Sequence, residues 1–261
     1  MHLDLKRRDQ VARNIKRIHG YDLSDSEIHI RVKSTFASYA HYWLRSFRLV
    51  DMTVKDLEKN FTYDGWEKIA DARDKGPGPI LVLPHLGTWD WGGLWLKECK
   101  NISVSAVVEE LEPNDLFQWF RKQRMSLGME IISSGPKAGP EVLKALKKGN
   151  ALVLVADRNV GGASVEVEFF GEMTSLPSGP AVLALRTGAE LLPAAMYDVD
   201  DCCHGVVRPP VTIEREGNFR KDVLRLTQRL AQELELLIRE APDQWHLLQP
   251  NWPSDLDEKK R

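Results

Sequence analysis

The sequence has few cysteines and lacks the short motifs by which histidines and cysteines bind metal ions. Its three cysteines are Cys99, Cys202 and Cys203, and none belongs to a Cys-x-x-Cys motif. The seven histidines are scattered and form no His-Glu-x-x-His motif. These absences argue against a disulfide framework and against a metal site, and they are typical of a protein from a reducing compartment.

Long apolar runs and a strong net charge are also absent. No apolar run reaches the roughly 18 residues that a membrane-spanning helix needs, and the first residues lack the apolar core of a signal peptide. A net charge of −2 gives no reason to expect a nucleic-acid partner. Any association with a membrane is therefore expected to be peripheral.

What the sequence does contain is typical of one large α/β domain. With 261 residues, of which 43% are hydrophobic and 28% charged, the chain can bury a substantial core, and it shows no linker or repeat. We predict a single domain over 1–261, with N-terminal helices in 1–50 and an α/β core in 51–261. The core is predicted to hold a mixed sheet of about seven strands flanked by helices. The predicted strands are 80–83, 104–108, 129–132, 151–156, 165–170, 191–197 and 205–213.

The stretch 79–93 concentrates reactive side chains at the end of an apolar strand. Ile80–Leu83 is followed at once by His85 and then by Thr88 and Asp90. If a helix starts at Thr88, Asp90 lies in its first turn, where the helix dipole favours a carboxylate. That carboxylate could hold one imidazole nitrogen and leave the other as a general base.

The chain offers this base no protein nucleophile nearby. No Gly-x-Ser-x-Gly motif occurs, so the proton removed by His85 would belong to a substrate hydroxyl. The alternative is that a histidine followed five positions later by an aspartate arises by chance. The position of His85 at a strand end favours the functional interpretation, because ligands of open α/β sheets bind there.

A second apolar strand, 151–156, also ends in polar residues. Asp157 and Arg158 follow it, so both strand ends are expected to border one cleft. Arg158 could hold a phosphate, and the alternative is a structural pair of Asp157 with Arg158. In 165–170 the alternation places Glu166 and Glu168 on the wet side of a strand, and the pattern alone does not separate them.

Two further segments have alternative interpretations. The basic helix predicted over 4–19 carries an apolar stripe, which could contact anionic lipid or pack on the body of the protein. The aromatic face of the helix over 25–49 could belong to the core or line an apolar tunnel for a ligand. Two tryptophans in 245–253 suit either packing or a membrane interface.

Beyond these patterns, the segment His85–Asp90 resembles the His-x4-Asp motif of the glycerolipid and lysophospholipid acyltransferase superfamily, in the branch that includes lipid A acyltransferases. Other segments narrow the resemblance to the phosphatidylinositol mannoside acyltransferases of actinobacteria. The similarity runs from about residue 10 to residue 255 and is carried by 36–43, 117–131, 156–159, 165–172, 177–181, 187–193 and 245–255.

This resemblance implies an acyltransferase that uses acyl-CoA as co-substrate, with no other cofactor and no metal. It implies that His85 takes the proton from a mannose hydroxyl of a phosphatidylinositol mannoside, and that Asp90 holds His85. It also implies that Arg124 and Glu166 line the site, in a groove with His85 and Asp157. The protein would work at the membrane surface, on the cytoplasmic face of the cell membrane.

Three other functions stay open at this stage. The acceptor could be another glycolipid or a lysophospholipid, as in the lipid A type of enzyme. Water could replace the acceptor, which would make the protein a thioesterase. The same groove could also belong to a non-catalytic lipid-binding protein.

Overall fold

The computed structural model has a mixed, seven-stranded sheet at its centre. It describes residues 5–20, 22–109, 114–135 and 138–257. Within these residues the strands β1 to β9 are, in chain order, Phe61–Asp64, Ile80–Leu83, Val104–Val108, Glu130–Ser133, Ala151–Val155, Ser164–Phe169, Glu172–Pro177, Leu191–Val199 and Cys202–Val207. The sheet order is β1-β9-β8-β2-β5-β3-β4. Within this sheet, β8 and β9 pair antiparallel and the other described neighbours pair parallel, which confirms the predicted α/β fold.

The membership of the sheet differs from the prediction at two strands. The segment Phe61–Asp64, which is not among the predicted strands, forms the edge strand β1 beside β9. The predicted strand around Glu166 is β6, which pairs only with β7 in a separate antiparallel hairpin. The reason lies in burial: all four residues of β2 are buried, whereas β6 buries only one side, through Val167 and Phe169.

Helices cover both faces of the sheet. The helices α1 to α10 are Leu5–His19, Asp25–Arg48, Val54–Lys59, Glu67–Lys75, Trp89–Lys100, Asn114–Ser126, Ala138–Lys147, Gly179–Thr187, Phe219–Glu240 and Ser254–Asp257. Residues of α3, α4 and α5 pack in the apolar cluster on one face, and residues of α7, α8 and α9 pack in the cluster on the other. Among the helices described, none combines the length and apolar character needed to cross a membrane.

The first helix packs on the body of the protein. Its apolar stripe of Val11, Ile15 and Ile18 is buried, with exposures of 2%, 1% and 3%. Arg17 is buried as well and pairs with Asp255, at 2.7 Å between Nη2 and Oδ1. The structure therefore supports packing, rather than lipid contact, for this stripe. The predicted first residue of the helix, residue 4, lies outside the described residues.

Candidate active site

Strand pairing brings His85 and Asp157 together, although 72 positions separate them in the chain. Strands β2 and β5 are parallel neighbours, and Leu83 lies opposite Val155. His85 and Asp157 each follow two residues after this pair, so both project from the same edge of the sheet. The two predicted strand ends thus form one site.

Asp157 holds the imidazole of His85 directly. The Asp157 Oδ1 atom lies 2.5 Å from His85 Nδ1, and Asp157 Oδ2 accepts the His85 backbone N–H at 3.0 Å. The indole N–H of Trp245 donates to the same Oδ2 at 2.7 Å. Burial alone would raise the pKa of Asp157, but the imidazole and these donors hold it below its ordinary value. A carboxylate on Nδ1 leaves Nε2 as the basic nitrogen.

The prediction that Asp90 holds His85 is wrong. Asp90 does lie in the first turn of α5, but its carboxylate accepts two bonds from Arg124, at 2.7 Å from Nε and 3.1 Å from Nη2. The hydroxyl of Tyr42 also donates to it, at 3.2 Å. Although burial lowers the pKa of Arg124, the Asp90 carboxylate raises it above its ordinary value. Asp90 therefore fixes a buried guanidinium in the site.

Gly87 allows a sharp turn in the loop between His85 and Asp90, close to the backbone of β8. Its φ is +59°, a left-handed conformation that favours glycine. A Cβ placed there would lie 1.9 Å from the carbonyl oxygen of Met196. The turn that separates His85 from Asp90 therefore requires glycine, and it sends the two side chains to different partners.

The C-terminal segment supplies two residues that sequence reasoning did not assign to the site. Trp245 pairs with Leu86 in an isolated antiparallel bridge, and the His246 backbone N–H donates to the His85 carbonyl at 2.7 Å. The His246 imidazole lies 2.9 Å from Ser38 Oγ. Burial lowers its pKa to about 3, so the ring is neutral. The two tryptophans of 245–253 suited packing as well as a membrane interface, but no sequence pattern indicated that this segment packs on His85.

A large, mostly apolar cavity opens beside His85. Its volume is about 650 Å³, and it reaches under α5 on one face of the sheet and between α7 and α8 on the other. The aromatic face of α2 contributes Tyr39, Tyr42 and Trp43 to the wall, so this face serves both the core and the cavity. The His85 side chain is 24% exposed, and its ring meets Trp89 edge-to-face at 5.7 Å between centroids.

The remaining predicted site residues differ in whether they line the cavity. Arg124 and Arg158 both line the cavity. Arg158 pairs with Glu109 at 2.6 Å and not with Asp157, which corrects the structural pair considered above. Glu166 is exposed on β6 and is not among the cavity-lining residues. The structure thus does not support its predicted place in the groove, because Val167 and Phe169 turn the other side of the hairpin inward.

Among the described residues, no group of three or more histidine, cysteine, aspartate or glutamate side chains is arranged to hold a metal ion. The polar groups that line the cavity include the His85 imidazole, which is paired with the Asp157 carboxylate, and the guanidinium groups of Arg124, Arg158 and Arg186. This set suits proton transfer and the binding of anionic or carbonyl oxygens.

Comparisons with known proteins agree on one family. The bacterial lipid A biosynthesis acyltransferase family matches residues 1–254. The phosphatidylinositol mannoside acyltransferase of Mycolicibacterium smegmatis is 34% identical over 256 residues, which cover 97% of this chain and 82% of the relative. The enzyme of the same description from Mycobacterium tuberculosis is 34% identical over 97% of this chain and 79% of the relative.

A more distant relative carries a different description. The lipid A biosynthesis acyltransferase of Haemophilus influenzae is 25% identical over 195 residues, which cover 73% of this chain and 58% of the relative. The match over residues 1–254 and the two closer relatives together lead to one conclusion. The chain belongs to the bacterial lipid A biosynthesis acyltransferase family.

Proposed function

We propose that the protein transfers a long-chain fatty acyl group from acyl-CoA to a mannose hydroxyl of a phosphatidylinositol mannoside. The observation that carries this proposal is the His85–Asp157 pair, 2.5 Å apart, at the wall of an apolar cavity of about 650 Å³. The imidazole of His85, held by Asp157, supplies a base, and the cavity offers room for a hydrocarbon chain.

In the proposed mechanism His85 acts as general base without a covalent acyl-enzyme. Nε2 takes the proton from the acceptor hydroxyl while the hydroxyl oxygen attacks the thioester carbon. Asp157 accepts the Nδ1–H and stabilises the imidazolium that forms. The C–S bond then breaks, and the imidazolium returns its proton to the departing CoA thiolate. Each proton therefore passes through the one imidazole.

Arg124 is proposed to stabilise the negative charge that develops on the thioester oxygen. Its guanidinium lines the cavity and is 16% exposed. Asp90 and Tyr42 fix its position, so little reorganisation is needed when charge develops. Asp90 is then a positioning residue that acts through Arg124.

The acceptor is inferred from the relatives and from the part of the cavity between α7 and α8. Two relatives at 34% identity are described as phosphatidylinositol mannoside acyltransferases. Between α7 and α8 the cavity is lined by Val142 and Leu183 but also by Arg158 and Arg186. Arginines beside an apolar wall suit a lipid whose head carries a phosphate, whether that phosphate belongs to the acceptor or to CoA.

Membrane association is proposed to use the exposed apolar patch of Leu44, Phe47 and Trp119, on α2 and α6. These side chains are 47%, 46% and 45% exposed, and the rings of Phe47 and Trp119 lie 5.3 Å apart. Phe47 also contacts Phe120, which lines the cavity. An apolar patch next to the cavity lets a lipid pass from the bilayer into the site.

The proposed reaction is tested with purified protein, radiolabelled palmitoyl-CoA and a phosphatidylinositol mannoside in mixed micelles. We expect labelled acceptor from the native chain and a loss of about a hundredfold or more in His85→Ala, because general-base catalysis contributes factors of that size. His204→Ala is the matched control: His204 is 27% exposed and also pairs with an aspartate, Asp64. Unchanged turnover in His85→Ala with retained folding would refute the proposed base.

The same assay separates the other functions. Labelling of a lipid A precursor or a lysophospholipid, but never of the mannoside, would replace the proposed acceptor. Acyl-CoA hydrolysis that does not slow when acceptor is added would indicate a thioesterase. Lipid binding without turnover of any acyl-CoA would indicate a binding protein.

The membrane surface is tested by sedimentation with anionic vesicles. We expect Phe47→Ser combined with Trp119→Ser to reduce the bound fraction, since it removes most of the exposed apolar patch. Leu236→Ser is the control, because Leu236 is 45% exposed on α9 and lies outside the patch. Equal loss in the control would show that this surface is not the one that meets the lipid.

A further inference from the structure

The cavity under α5 extends across several strands of the sheet. It is lined in turn by Leu83 of β2, Met196 of β8, Gly205 of β9 and Tyr63 of β1. Met196, Gly205 and Tyr63 are register partners, so they form one row across the sheet. From β2 to β1 this path covers three strand spacings, or roughly 14 Å.

Met196 fills the middle of this path. A Cβ added at Gly92 of α5 would lie 2.5 Å from Met196 Cε and 2.8 Å from its Sδ. A Cβ added at Gly205 would lie 3.2 Å from Sδ and 3.3 Å from Cε. The thioether thus occupies the gap between helix and sheet, and glycine at both positions leaves room for it.

An aromatic chamber of Phe61, Tyr63, Trp66 and Trp95 lies beyond Met196. All four residues line the cavity, and Trp95 stacks on Phe61 at 4.6 Å between ring centroids. The Lys100 ammonium lies 4.4 Å from the Trp66 ring and 4.9 Å from the Trp95 ring. A charge at this position marks where the apolar path ends.

A second methionine occupies the matching position on the other side of α5. A Cβ added at Gly93 would lie 2.9 Å from Met129 Cε and 3.2 Å from its Sδ. Met129 and Met196 are both buried, at 5% and 8% exposure, and both line the cavity. The same Cβ at Gly93 would lie 4.0 Å from Val104 Cγ1 of β3, and β3 lies on the opposite side of β2 from β8, β9 and β1. Met129 therefore serves as a control with the same side chain.

We propose that Met196 is the residue that sets the preferred length of the acyl chain. The acyl chain runs from His85 over β8, where its end displaces the Met196 thioether. It then enters the aromatic chamber over β9 and β1. Methionine suits this role because its unbranched, polarisable side chain changes conformation easily. The inference rests on the proposed function, since it assigns the acyl group to the part of the cavity under α5.

The test compares lauroyl-CoA with stearoyl-CoA as donors. Removing Met196 opens the passage, so we expect Met196→Ala to raise the stearoyl-to-lauroyl ratio of kcat/KM about tenfold, the effect of roughly one methylene in an apolar pocket. Met129→Ala should leave the ratio within about twofold. A shift in Met129→Ala without one in Met196→Ala would assign the chain to the β3 side and overturn the proposal.

Two further measurements keep the test decisive. Met196→Leu conserves volume but is branched and less able to move aside, so it should fold and lower the same ratio. The rise in Tm on adding free fatty acids of increasing length measures how long a chain the passage accepts, and it requires no turnover. Met196→Ala should bind the longer acids better relative to the short ones. If the native chain transfers no acyl group, the proposed function fails, whereas the fatty-acid series still decides the role of Met196. If thermal stabilisation depends on fatty-acid length in the same way in the native chain and in all Met196 variants, the role of Met196 is refuted.

Discussion

Asp90 and Asp157 are two buried carboxylates of the site, and they bind different groups. Asp90 is 7% exposed and binds the guanidinium of Arg124, whereas Asp157 is fully buried and binds the imidazole of His85. Asp90 is nearer to His85 in sequence and Asp157 is nearer in space. Proximity in a motif therefore says less about a partner than the order of the strands does.

The largest expected effect comes from Asp157→Asn. Two N–H groups, from His85 and Trp245, point at Oδ2 and require an acceptor there. The amide oxygen of asparagine must take that position, so its NH₂ group faces His85 Nδ1. Nδ1 then accepts, Nε2 carries the proton, and the base is lost. We expect kcat to fall about 10³–10⁴-fold, as when a triad carboxylate is replaced by an amide.

Steady-state kinetics with circular dichroism check this prediction. Asp64→Asn is the control, since Asp64 pairs with His204 at 3.3 Å on the surface and its side chain is 78% exposed. We expect the control to keep native turnover. A folded Asp157→Asn protein with more than about a tenth of native kcat would contradict the tautomer argument.

Asp90→Asn should affect stability as well as activity. It leaves the Arg124 charge buried without its carboxylate, and we expect the free energy of unfolding to fall by about 3 kcal/mol, the low end for a broken buried ion pair because both groups retain some exposure. The double variant Asp90→Asn with Arg124→Gln should lose less than the sum of the single changes. Urea unfolding of the four proteins measures this. Strict additivity would mean that the pair is not coupled.

The comparison also shows how far the sequence predicts the site. The apolar runs before His85 and Asp157, and the helix start that carries Asp90, are local features and were predicted correctly. The sequence also placed both strand ends at one edge of a sheet. It could not show that β2 and β5 are neighbours, because the order of strands depends on contacts between segments far apart in the chain.

Three other features were not predicted, for related reasons. The strand β1 is only four residues long and exposes three of them, so it lacks the apolar pattern of an inner strand. Glu166 sits in an alternating strand that was expected in the central sheet, but the next segment, β7, pairs with it locally. The contact of Trp245 and His246 with the motif loop is tertiary packing, which no local pattern encodes.

The smallest expected effect concerns His246, the titratable group at this site whose burial is not compensated by a paired charge among the described residues. Asp157 keeps a lowered pKa because the His85 imidazole and nearby N–H groups offset its burial. His246 lies beside Ser38, a neutral partner, and burial lowers its pKa from 6.5 to about 3. The contrast predicts that the wall behind His85 stays uncharged throughout the working pH range.

This neutrality has a measurable consequence for stability. The unfolded chain takes up a proton on His246 at its ordinary pKa of 6.5, whereas the folded chain does so only near 3. Between these values the unfolded state binds more protons, so stability falls as the pH falls. His246→Gln removes the titration and can still hydrogen-bond to Ser38. From about pH 7.5 to about pH 5.5 we expect the native chain to lose about 1 kcal/mol more than the variant, as judged by urea unfolding. Parallel pH dependence in the two proteins would mean that the imidazole is charged or hydrated in the fold, and that the site is wetter than its geometry indicates.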